Sequence, residues 1–312
     1  MSTRVGPGEE GMRLDAALVA LAGLHSRAAA QRLLDAGRVT VDGRARSKSH
    51  RVAAGELIEL APELAAPEPP RARFEPVWED ADLLVIDKPA GVVVHPGAGN
   101  RHGTLAQALA GRAVGGPDPQ RAGIVHRLDR DTSGLMVVAA SERAYAELVR
   151  MVAARELERS YLALVEGHPG ARSATIEAPL GRDRGQRTRM SVKTDRPRSA
   201  VTHFELIERL PRTTLLDVRL ETGRTHQIRA HMAAIDHPVC GDERYGGSAS
   251  GRRLGLSRQF LHSGRLALRH PISREVLVCE SKPPADLLRA LEAARRESGF
   301  DGPSVSGGPA GG

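Results

Sequence analysis

Five prolines between residues 61 and 76 divide this chain into two parts, and they stand at positions 62, 67, 69, 70 and 76. Proline lacks a backbone N–H and clashes with the preceding helical turn, so no helix interior runs through this segment. Its composition favours a semi-rigid extended spacer. We therefore expect a flexible N-terminus over 1–11, a small domain with its linker over 12–72, and a larger domain over 73–298. The Gly-, Pro- and Ser-rich tail over 299–312 is predicted to be disordered.

The overall charge favours a polyanionic partner, because the 312 residues carry a formal net charge of +7. Aromatic residues make up only 3%, so base stacking on exposed rings is not expected to dominate binding. The two cysteines, Cys240 and Cys279, suggest a reducing compartment without disulfides. The N-terminus lacks an apolar signal core, and the apolar run 16–24 is too short to cross a membrane. A cytoplasmic protein without membrane contact is expected.

The small domain is predicted to contain two helices followed by strands. Apolar spacing indicates a helix over Arg13–Leu21, and Ser26 can cap a second helix over Arg27–Ala36. Two strands are predicted at Val39–Val41 and Leu57–Leu60, and the pair Asp42-Gly43 is typical of a hairpin turn.

Residues 12–60 contain eight Arg or Lys against five Asp or Glu, a net charge of +3. A solvated basic face is the common meaning of such a pattern. The strings RLDAAL, SRAAAQRLLDAGRVTVDG and GELIEL, however, resemble the S4 RNA-binding domain in order and content. The resemblance implies contacts to phosphates, which position a protein without reading base sequence. The side chains expected to make them are Arg13, Arg27, Arg32, Arg38, Arg44 and Lys48.

A polar loop stands directly before an apolar run in the string GIVHRLDRDTSGLMVVAA at 123–140. The run Leu135–Ala140 reads as a buried strand, and the loop before it holds the carboxylates of Asp129 and Asp131. Catalytic groups are often placed on loops that a rigid scaffold holds. A turn with solvated charges is the alternative for an arbitrary sequence.

The rest of the larger domain alternates strands and helices and predicts an α+β fold with a mixed, largely antiparallel sheet. Helix caps are predicted at Thr104 and Ser141. The predicted strands are Leu83–Ile86, Val92–Val94, Val201–Ile207, Thr214–Glu221, 260–268 and 275–280. Helices are predicted over 104–110, 141–155 and 284–296, and a further helix is predicted after Gly223-Arg224, with Ile228, Met232 and Ile235 on one face.

Four strings of the larger domain resemble the RluA-type pseudouridine synthases, which isomerise uridine in structured RNA. They are HRLDRDTSGL at 126–135, DKPAG at 87–91, RSYLALVEG at 159–167 and TGRTHQIRAHM at 222–232. The resemblance implies that Asp129 is catalytic, that Tyr161 lines its pocket and that Arg224 pairs with it. Arg127 is expected to fill the space that the flipped base leaves, and His102 to face the RNA. The implied substrate is large-subunit (23S) ribosomal RNA.

The chemistry implied needs no cofactor, because the reaction breaks N1–C1′, turns the base and joins C5 to C1′ without a change of oxidation state. It does need an ionised carboxylate in a water-poor pocket, which a neighbouring arginine favours. The uridine must also leave its stack, at a cost of a few kcal/mol. The segment 182–198, with a net charge of +5, is expected to face the RNA and includes Arg187 and Arg189. A monomer is expected.

Three other functions compete with this interpretation. A metal hydrolase could use His226, His231, His237 and His262, although a spacing of five from His226 to His231 does not suit one helical face. A glycosidase could use Asp129 with Asp131, but it explains neither the basic charge nor the S4-like domain. A non-catalytic S4-type RNA-binding or ribosome-assembly protein accounts for every basic feature equally well.

Overall fold

The structure, a computed structural model, describes residues 2–24, 26–35, 37–61, 72, 74–97, 100, 102–186 and 188–298, without the side chains of Arg32 and Gln120. The chain divides into two compact units, Met1–Pro69 and Pro70–Gly312. Most of the expected linker and the whole tail over 299–312 lie outside the described residues.

The first unit packs two helices on a four-stranded antiparallel sheet with the order β1-β4-β2-β3. The Asp42-Gly43 turn has φ values of 48° and 71°, and two positive values are what a type I′ hairpin turn requires. Ser26 accepts a hydrogen bond from the amide of Ala29 at 3.3 Å, as a helix cap should. The elements are β1 (Ser2–Arg4), α1 (Leu14–Ala22), α2 (Arg27–Asp35), β2 (Val39–Val41), β3 (Arg44–Ala45) and β4 (Leu57–Leu60).

The expectation of a flexible segment over 1–11 is wrong for residues 2–11. Strand β1 pairs with β4, where Ser2 lies opposite Glu59 and Arg4 opposite Leu57. Val5 is then buried in the core of the unit. The physical reason is that β4 would otherwise present an open edge, and the N-terminal residues cover it.

The second unit is built on a nine-stranded sheet. The strand order is β5-β6-β7-β14-β8-β13-β12-β9, with β15 paired to β14. All pairs are antiparallel except β7 with β14. A separate hairpin joins β10 to β11. The strands are β5 (Glu75–Glu79), β6 (Leu83–Lys88), β7 (Ser133–Ala139), β8 (Glu158–Glu166), β9 (Ser173–Glu177), β10 (Gly181–Arg182), β11 (Met190–Ser191), β12 (Val201–Arg209), β13 (Thr213–Leu220), β14 (Leu261–Arg269) and β15 (Val276–Glu280).

Helices cover both faces of this sheet, which explains why every residue of β7 is buried. The expected α+β fold with a mixed, largely antiparallel sheet is confirmed, and both Thr104 and Ser141 cap helices. Within the described residues, no helix combines the length and apolarity of a membrane span. Helix α4 packs on one face and α5 with α7 on the other; the helices are α3 (Leu105–Ala108), α4 (Glu142–Ala153), α5 (Gln227–Ala234), α6 (Ser248–Leu254) and α7 (Ala285–Arg296).

The strand expected at Val92–Val94 does not form. The carbonyls of Val93 and Val94 instead accept hydrogen bonds from the amides of Leu105 and Ala106, at 2.9 and 3.0 Å. These amides belong to the first turn of α3 and have no partner inside the helix. The segment therefore satisfies a helix end rather than pairing as a strand.

Gly134 allows β7 and β14 to approach each other at the centre of the sheet. It has a φ of 113°, and a Cβ at this position would collide with the carbonyl oxygen of Ser263. Glycine alone avoids both the backbone strain of this φ and the steric clash of a Cβ. The polar loop that precedes β7 is thereby anchored in the most buried part of the unit.

Candidate active site and RNA-binding surface

The aspartate loop (residues 126–132) is held by three side chains from two other segments of the chain. Lys88 donates from Nζ to the carbonyl of Arg130 at 3.0 Å, and Arg258 donates to the carbonyl of Asp131 at 2.9 Å. Gln259 donates to the hydroxyl of Thr132 at 3.2 Å. The backbone on the C-terminal side of Asp129 is thus fixed by bonds from outside the loop.

Asp129 forms an ion pair with Arg229 on helix α5. Nη1 of Arg229 donates to Oδ2 of Asp129 at 2.8 Å, and the side chain of Asp129 is 15% exposed. The remaining edge of the guanidinium holds Asp242, with Nε–Oδ2 at 2.6 Å and Nη2–Oδ1 at 2.9 Å. Although burial opposes the charge, the bonds with Asp242 and the charge of Asp129 raise the pKa of Arg229. Arg229 is therefore a permanent cation fixed beside Asp129.

The expected pair between Asp129 and Arg224 is not formed. Nε of Arg224 donates to the carbonyl of Ser199 at 3.0 Å, and its amide donates to Gln227 at 2.9 Å. Arg224 precedes the helix, whereas Arg229 lies in its first turn and points to the loop. Arg224 lines the Asp129 pocket. The ion pair with Asp129 that was expected of Arg224 is made by Arg229 instead.

His226 lies beside Asp129 and is oriented by Tyr245. Its Nε2 is 3.9 Å from Oδ1 of Asp129, and its Nδ1 is 3.1 Å from the hydroxyl of Tyr245. That buried hydroxyl also accepts a hydrogen bond from the amide of Met190 at 2.9 Å. Burial lowers the pKa of His226, although Asp129 opposes the shift. The imidazole of His226 is thus held between the hydroxyl of Tyr245 and the carboxylate of Asp129.

Tyr161 lines the same pocket from strand β8, as expected. It is 4% exposed and lies opposite Ser263 of β14. Burial raises the pKa of its phenol, so the ring is a neutral wall of the pocket. Asp129, Tyr161 and Arg229 come from three elements that are far apart in sequence and meet at one point.

The pocket around Asp129 is narrow, with a volume of about 40 Å³. Ligand pockets usually have about 300–1,000 Å³. Arg127 and Arg224 form part of its wall, and Arg127 is exposed. A nucleobase can therefore enter only if side chains of the wall move aside.

Lys88 is fully buried beside the aspartate loop and was not predicted as a site residue. Its Nζ donates to the carbonyls of Pro89, Val92 and Arg130, at 2.9, 3.0 and 3.0 Å. Burial lowers its pKa, and the charges of Asp129 and Asp131 oppose that shift. Lys88 therefore joins the Pro-Ala-Gly turn after β6 to the aspartate loop.

Two of the arginines expected to contact RNA are partly engaged within the first unit. Arg13 and Arg27 both donate to the buried carboxylate of Asp15, with shortest distances of 3.1 Å. Gln31 adds a third bond at 2.9 Å. The Arg13 guanidinium above all holds the pKa of Asp15 well below its usual range. These arginines have a structural role beside any contact with RNA.

The other expected RNA contacts occupy varied environments. Arg38 donates to the carbonyl of Ala61 at 3.0 Å, while Arg44, Lys48 and His102 are exposed. The guanidinium of Arg189 lies over the ring of Tyr245 at 4.7 Å, next to the active site. The side chain of Arg32 and the whole of Arg187 lie outside the described residues. All of these contacts stay predictions.

The remaining histidines of the metal alternative bind neighbouring backbone or hydroxyl groups. His231 contacts Thr202 and the carbonyl of Ala178, and His237 contacts the carbonyl of Glu166. His262 bridges Ser133 and the carbonyl of Ser281, with both distances at 3.0 Å. Among the described residues, no three His, Cys, Asp or Glu side chains are arranged to hold a metal ion.

Sequence reasoning missed Arg229, Asp242, Tyr245 and Lys88. Only Arg229 carried a usable signal, since it stands three positions before Met232 and so on the core-facing side of the helix. Asp242 and Tyr245 lie in a loop with no periodic pattern. Lys88 resembled an ordinary turn residue.

Comparison with known proteins agrees with this geometry. The family model for RNA pseudouridylate synthases matches residues 82–234, and the model for the S4 domain matches residues 12–58. An uncharacterized RNA pseudouridine synthase of Mycobacterium bovis is 43% identical over 309 residues, which cover 95% of this chain and 98% of that protein. Ribosomal large subunit pseudouridine synthase D of Nitrosomonas europaea is 42% identical over 294 residues, or 91% and 85% of the two chains.

Two solved human structures share the fold of nearly three quarters of the chain. Human RNA pseudouridylate synthase domain containing 1 is 25% identical, with a TM-score of 0.55 over 74% of this chain and 98% of that one. Domain containing 4 is 23% identical, with a TM-score of 0.55 over 72% and 94%. Together with the identity of about two fifths to full-length relatives, these matches show that the chain belongs to the RNA pseudouridine synthase family, of the RluA type with an N-terminal S4 domain.

Proposed function

We propose that this pseudouridine synthase modifies large-subunit ribosomal RNA and uses Asp129 as its catalytic carboxylate. The observation that carries the proposal is the ion pair of Asp129 with Arg229, itself fixed by Asp242, at the base of a pocket walled by Tyr161. The relatives named ribosomal large subunit pseudouridine synthase D support this substrate class. We further propose that the enzyme is cytoplasmic and acts as a monomer.

Asp129 must be ionised whether it attacks C1′ or removes the 2′ proton. A carboxylate that loses water on burial tends to take up a proton, and a fixed guanidinium opposes this. Arg229 supplies that charge without touching the substrate side of Asp129, because it uses only one of the two carboxylate oxygens. The other oxygen, Oδ1, faces His226 at 3.9 Å and leaves room for a reacting sugar.

The remaining wall residues suit a flipped uridine. The buried ring of Tyr161 offers an apolar face for the base. Exposed Arg127 stands two residues from Asp129 and can swing out to occupy the space that the base leaves in the RNA. The S4 unit adds a basic surface for phosphates, and its Arg44 and Lys48 are exposed.

A non-catalytic S4-type RNA-binding or ribosome-assembly protein is less well supported. Such a protein gains nothing from a carboxylate held in a pocket that excludes most water. Burial of charged groups costs several kcal/mol of lost hydration for each ion, so an arrangement of this kind is expensive to keep. Membership of a family of synthases also favours catalysis.

Asp129→Asn tests the catalytic assignment. We expect wild-type protein to form pseudouridine in large-subunit ribosomal RNA transcripts, and the variant to form none above background. Pseudouridine mapping by carbodiimide modification and primer extension gives the readout. The variant should keep its RNA affinity within about threefold and its thermal unfolding midpoint within a few degrees. Normal pseudouridine yield from Asp129→Asn would refute the assignment.

A further inference from the structure

A large cavity adjoins the Asp129 pocket and has no role in the mechanism above. This side cavity has a volume of about 730 Å³ and is lined by His95, Arg121, His126, Arg159, Gly223 and Glu221 among others. Arg127 and Arg224 line both the side cavity and the Asp129 pocket. The side cavity and the Asp129 pocket therefore adjoin each other at these two arginines.

Arg159 lacks a counter-charge. Among the described residues three arginines are buried, Arg159, Arg229 and Arg258, with exposures of 5, 7 and 8%. Arg229 holds Asp242 and Arg258 holds Asp286, each through two hydrogen bonds. The guanidinium of Arg159 makes no hydrogen bond or ion pair with any described residue, and its Nε is buried without a partner. An unpaired buried charge is costly, so a site for an anion is indicated.

The acidic groups of the side cavity are already engaged elsewhere. Glu221 pairs with Arg155 and with His203, the latter at 2.8 Å. Asp118 pairs with Arg121 at 3.4 Å. Neither carboxylate contacts Arg159, so the positive charge at the base of the cavity is not neutralised by the protein.

His126 adds an unused hydrogen-bond donor. Its Nε2 accepts from the amide of Val137 at 3.0 Å, which places the proton of the neutral ring on Nδ1. Burial, with a contribution from Arg159, lowers the pKa of His126 to about 3, so the ring is neutral at physiological pH. Nδ1 is buried and has no partner among the described residues.

Gly223 keeps the guanidinium uncovered. A Cβ at this position would lie 3.0 Å from Nη1 of Arg159. The φ of Gly223 is not in the left-handed region, so its backbone does not require glycine. The absence of a side chain here leaves space in front of Arg159 rather than serving a turn.

We propose that the side cavity binds a backbone phosphate of the substrate RNA close to the flipped uridine, with Arg159 as its main ligand. This inference rests on the proposed function, since it takes the RNA in the Asp129 pocket as its source. A phosphodiester matches a guanidinium in charge and geometry, and a neutral N–H donor such as His126 completes the set. A fixed phosphate beside the target holds the strand in register while the base is out of its stack.

Arg159→Met separates a ligand-binding role from a structural one. Without RNA, we expect the variant to unfold at a higher temperature than the wild type, because an unpaired buried charge is gone. With RNA, its affinity should fall about tenfold, and the slope of log K against log salt should fall by about 0.7–0.9. Arg265→Met, which removes a half-exposed arginine of β14, is the matched control and should change neither quantity appreciably. A lower unfolding temperature with unchanged RNA affinity would overturn the proposal.

Chemically altered RNA identifies the phosphate. In the Asp129→Asn background, each linkage near the target uridine is replaced in turn by an uncharged methylphosphonate, and binding is measured by fluorescence anisotropy. At one position we expect a loss of about tenfold that disappears when Arg159→Met is added, because the two changes remove one interaction. If the double variant keeps the full loss at every position, the proposal fails. Stabilisation by millimolar inorganic phosphate, without any position-specific loss, would assign the cavity to a free anion instead.

Gly223→Ala gives a second test that leaves the net charge unchanged. The new methyl group crowds Arg159, so RNA affinity should fall while the unfolding temperature stays near that of the wild type. Unchanged affinity with this variant would speak against the proposed position of the phosphate.

The proposed phosphate site and the proposed function can be tested separately. If wild-type protein makes no pseudouridine but the methylphosphonate pattern appears, the phosphate site stands and the proposed function falls.

Discussion

Arg229 serves two carboxylates with one guanidinium. Asp242 takes the Nε and Nη2 edge, and Asp129 takes only Nη1. Two bonds fix the arginine, while one bond leaves Asp129 able to turn toward a sugar. Asp242 is therefore a positioning residue for Arg229, which in turn forms the ion pair with Asp129.

Exchange of each candidate arginine for methionine distinguishes their roles. We expect Arg229→Met to lower the single-turnover rate of pseudouridine formation by about 10²–10³, because Asp129 loses a preorganised donor. Arg224→Met should lower it by less than about tenfold, because that guanidinium binds the Ser199 carbonyl and not Asp129. Thermal unfolding of both variants controls for loss of folding. The opposite order of rates would restore Arg224 as the partner of Asp129.

The role of a residue could be predicted from the sequence where that role depends only on its neighbours along the chain. Asp129 stands in a polar loop before a strand, and both features are local. The choice between Arg224 and Arg229 depended on where helix α5 begins. The helix begins after His226, whose backbone has a left-handed φ of 53°. Histidine is not a residue type that predicts this conformation. Arg229, five residues after Arg224, therefore reaches the carboxylate of Asp129 in its place.

At the scale of elements, Lys88 connects the turn after β6 to the aspartate loop. Three carbonyls from two segments converge on its Nζ, and three is the number of donors that an ammonium group has. The Asp-Lys-Pro-Ala-Gly turn was expected to support the active site, and it does so through the hydrogen bonds of the Lys88 ammonium group.

Lys88→Met should loosen the loop without removing any catalytic group. Three buried carbonyls lose their donor, and each unsatisfied group costs about 1–3 kcal/mol. We expect amide hydrogen exchange over residues 126–132 to accelerate and the single-turnover rate to fall about tenfold or more. Lys282→Met, at an exposed lysine, is the control and should leave both unchanged. Wild-type exchange in Lys88→Met would show that the loop is held by other bonds.

The helix starts at Ser26, Thr104 and Ser141 were predictable because their caps are local. The apolar run at Val92–Val94 was misassigned because its carbonyls serve α3, a contact that composition does not encode. The order of strands was also beyond reach. Strand β14 lies between β7 and β8, and such long-range pairing leaves no pattern in either strand.

The protein has a net charge of +7, and its basic residues need not contribute equally to RNA binding. Reversal of Arg44 and Lys48 together to Glu should raise KM for RNA about tenfold or more and leave kcat unchanged, because phosphate contacts position the RNA without taking part in chemistry. Steady-state kinetics at several salt concentrations provide the measurement, and the effect should shrink as salt rises.

A control for this pair reverses Arg252 and Arg289, two exposed arginines on α6 and α7. It changes the net charge by the same amount on the second unit. Similar KM values for the two double variants would mean that total charge, and not the S4 surface, governs binding. A lower kcat for the first pair alone would mean that the S4 unit acts on catalysis as well.

The central position of β14 also has a consequence for biosynthesis. During translation the S4 unit, Asp129 and Tyr161 all leave the ribosome well before residues 261–269, which pair with Ser133 and Gly134 on one side and with β8 on the other. Until that strand is inserted, the two halves of the sheet have no shared centre, and Gly134 faces no neighbour. A nascent chain can therefore display its RNA-binding surface while its catalytic pocket is still incomplete. Chains that stop before residue 261 should bind RNA without modifying it.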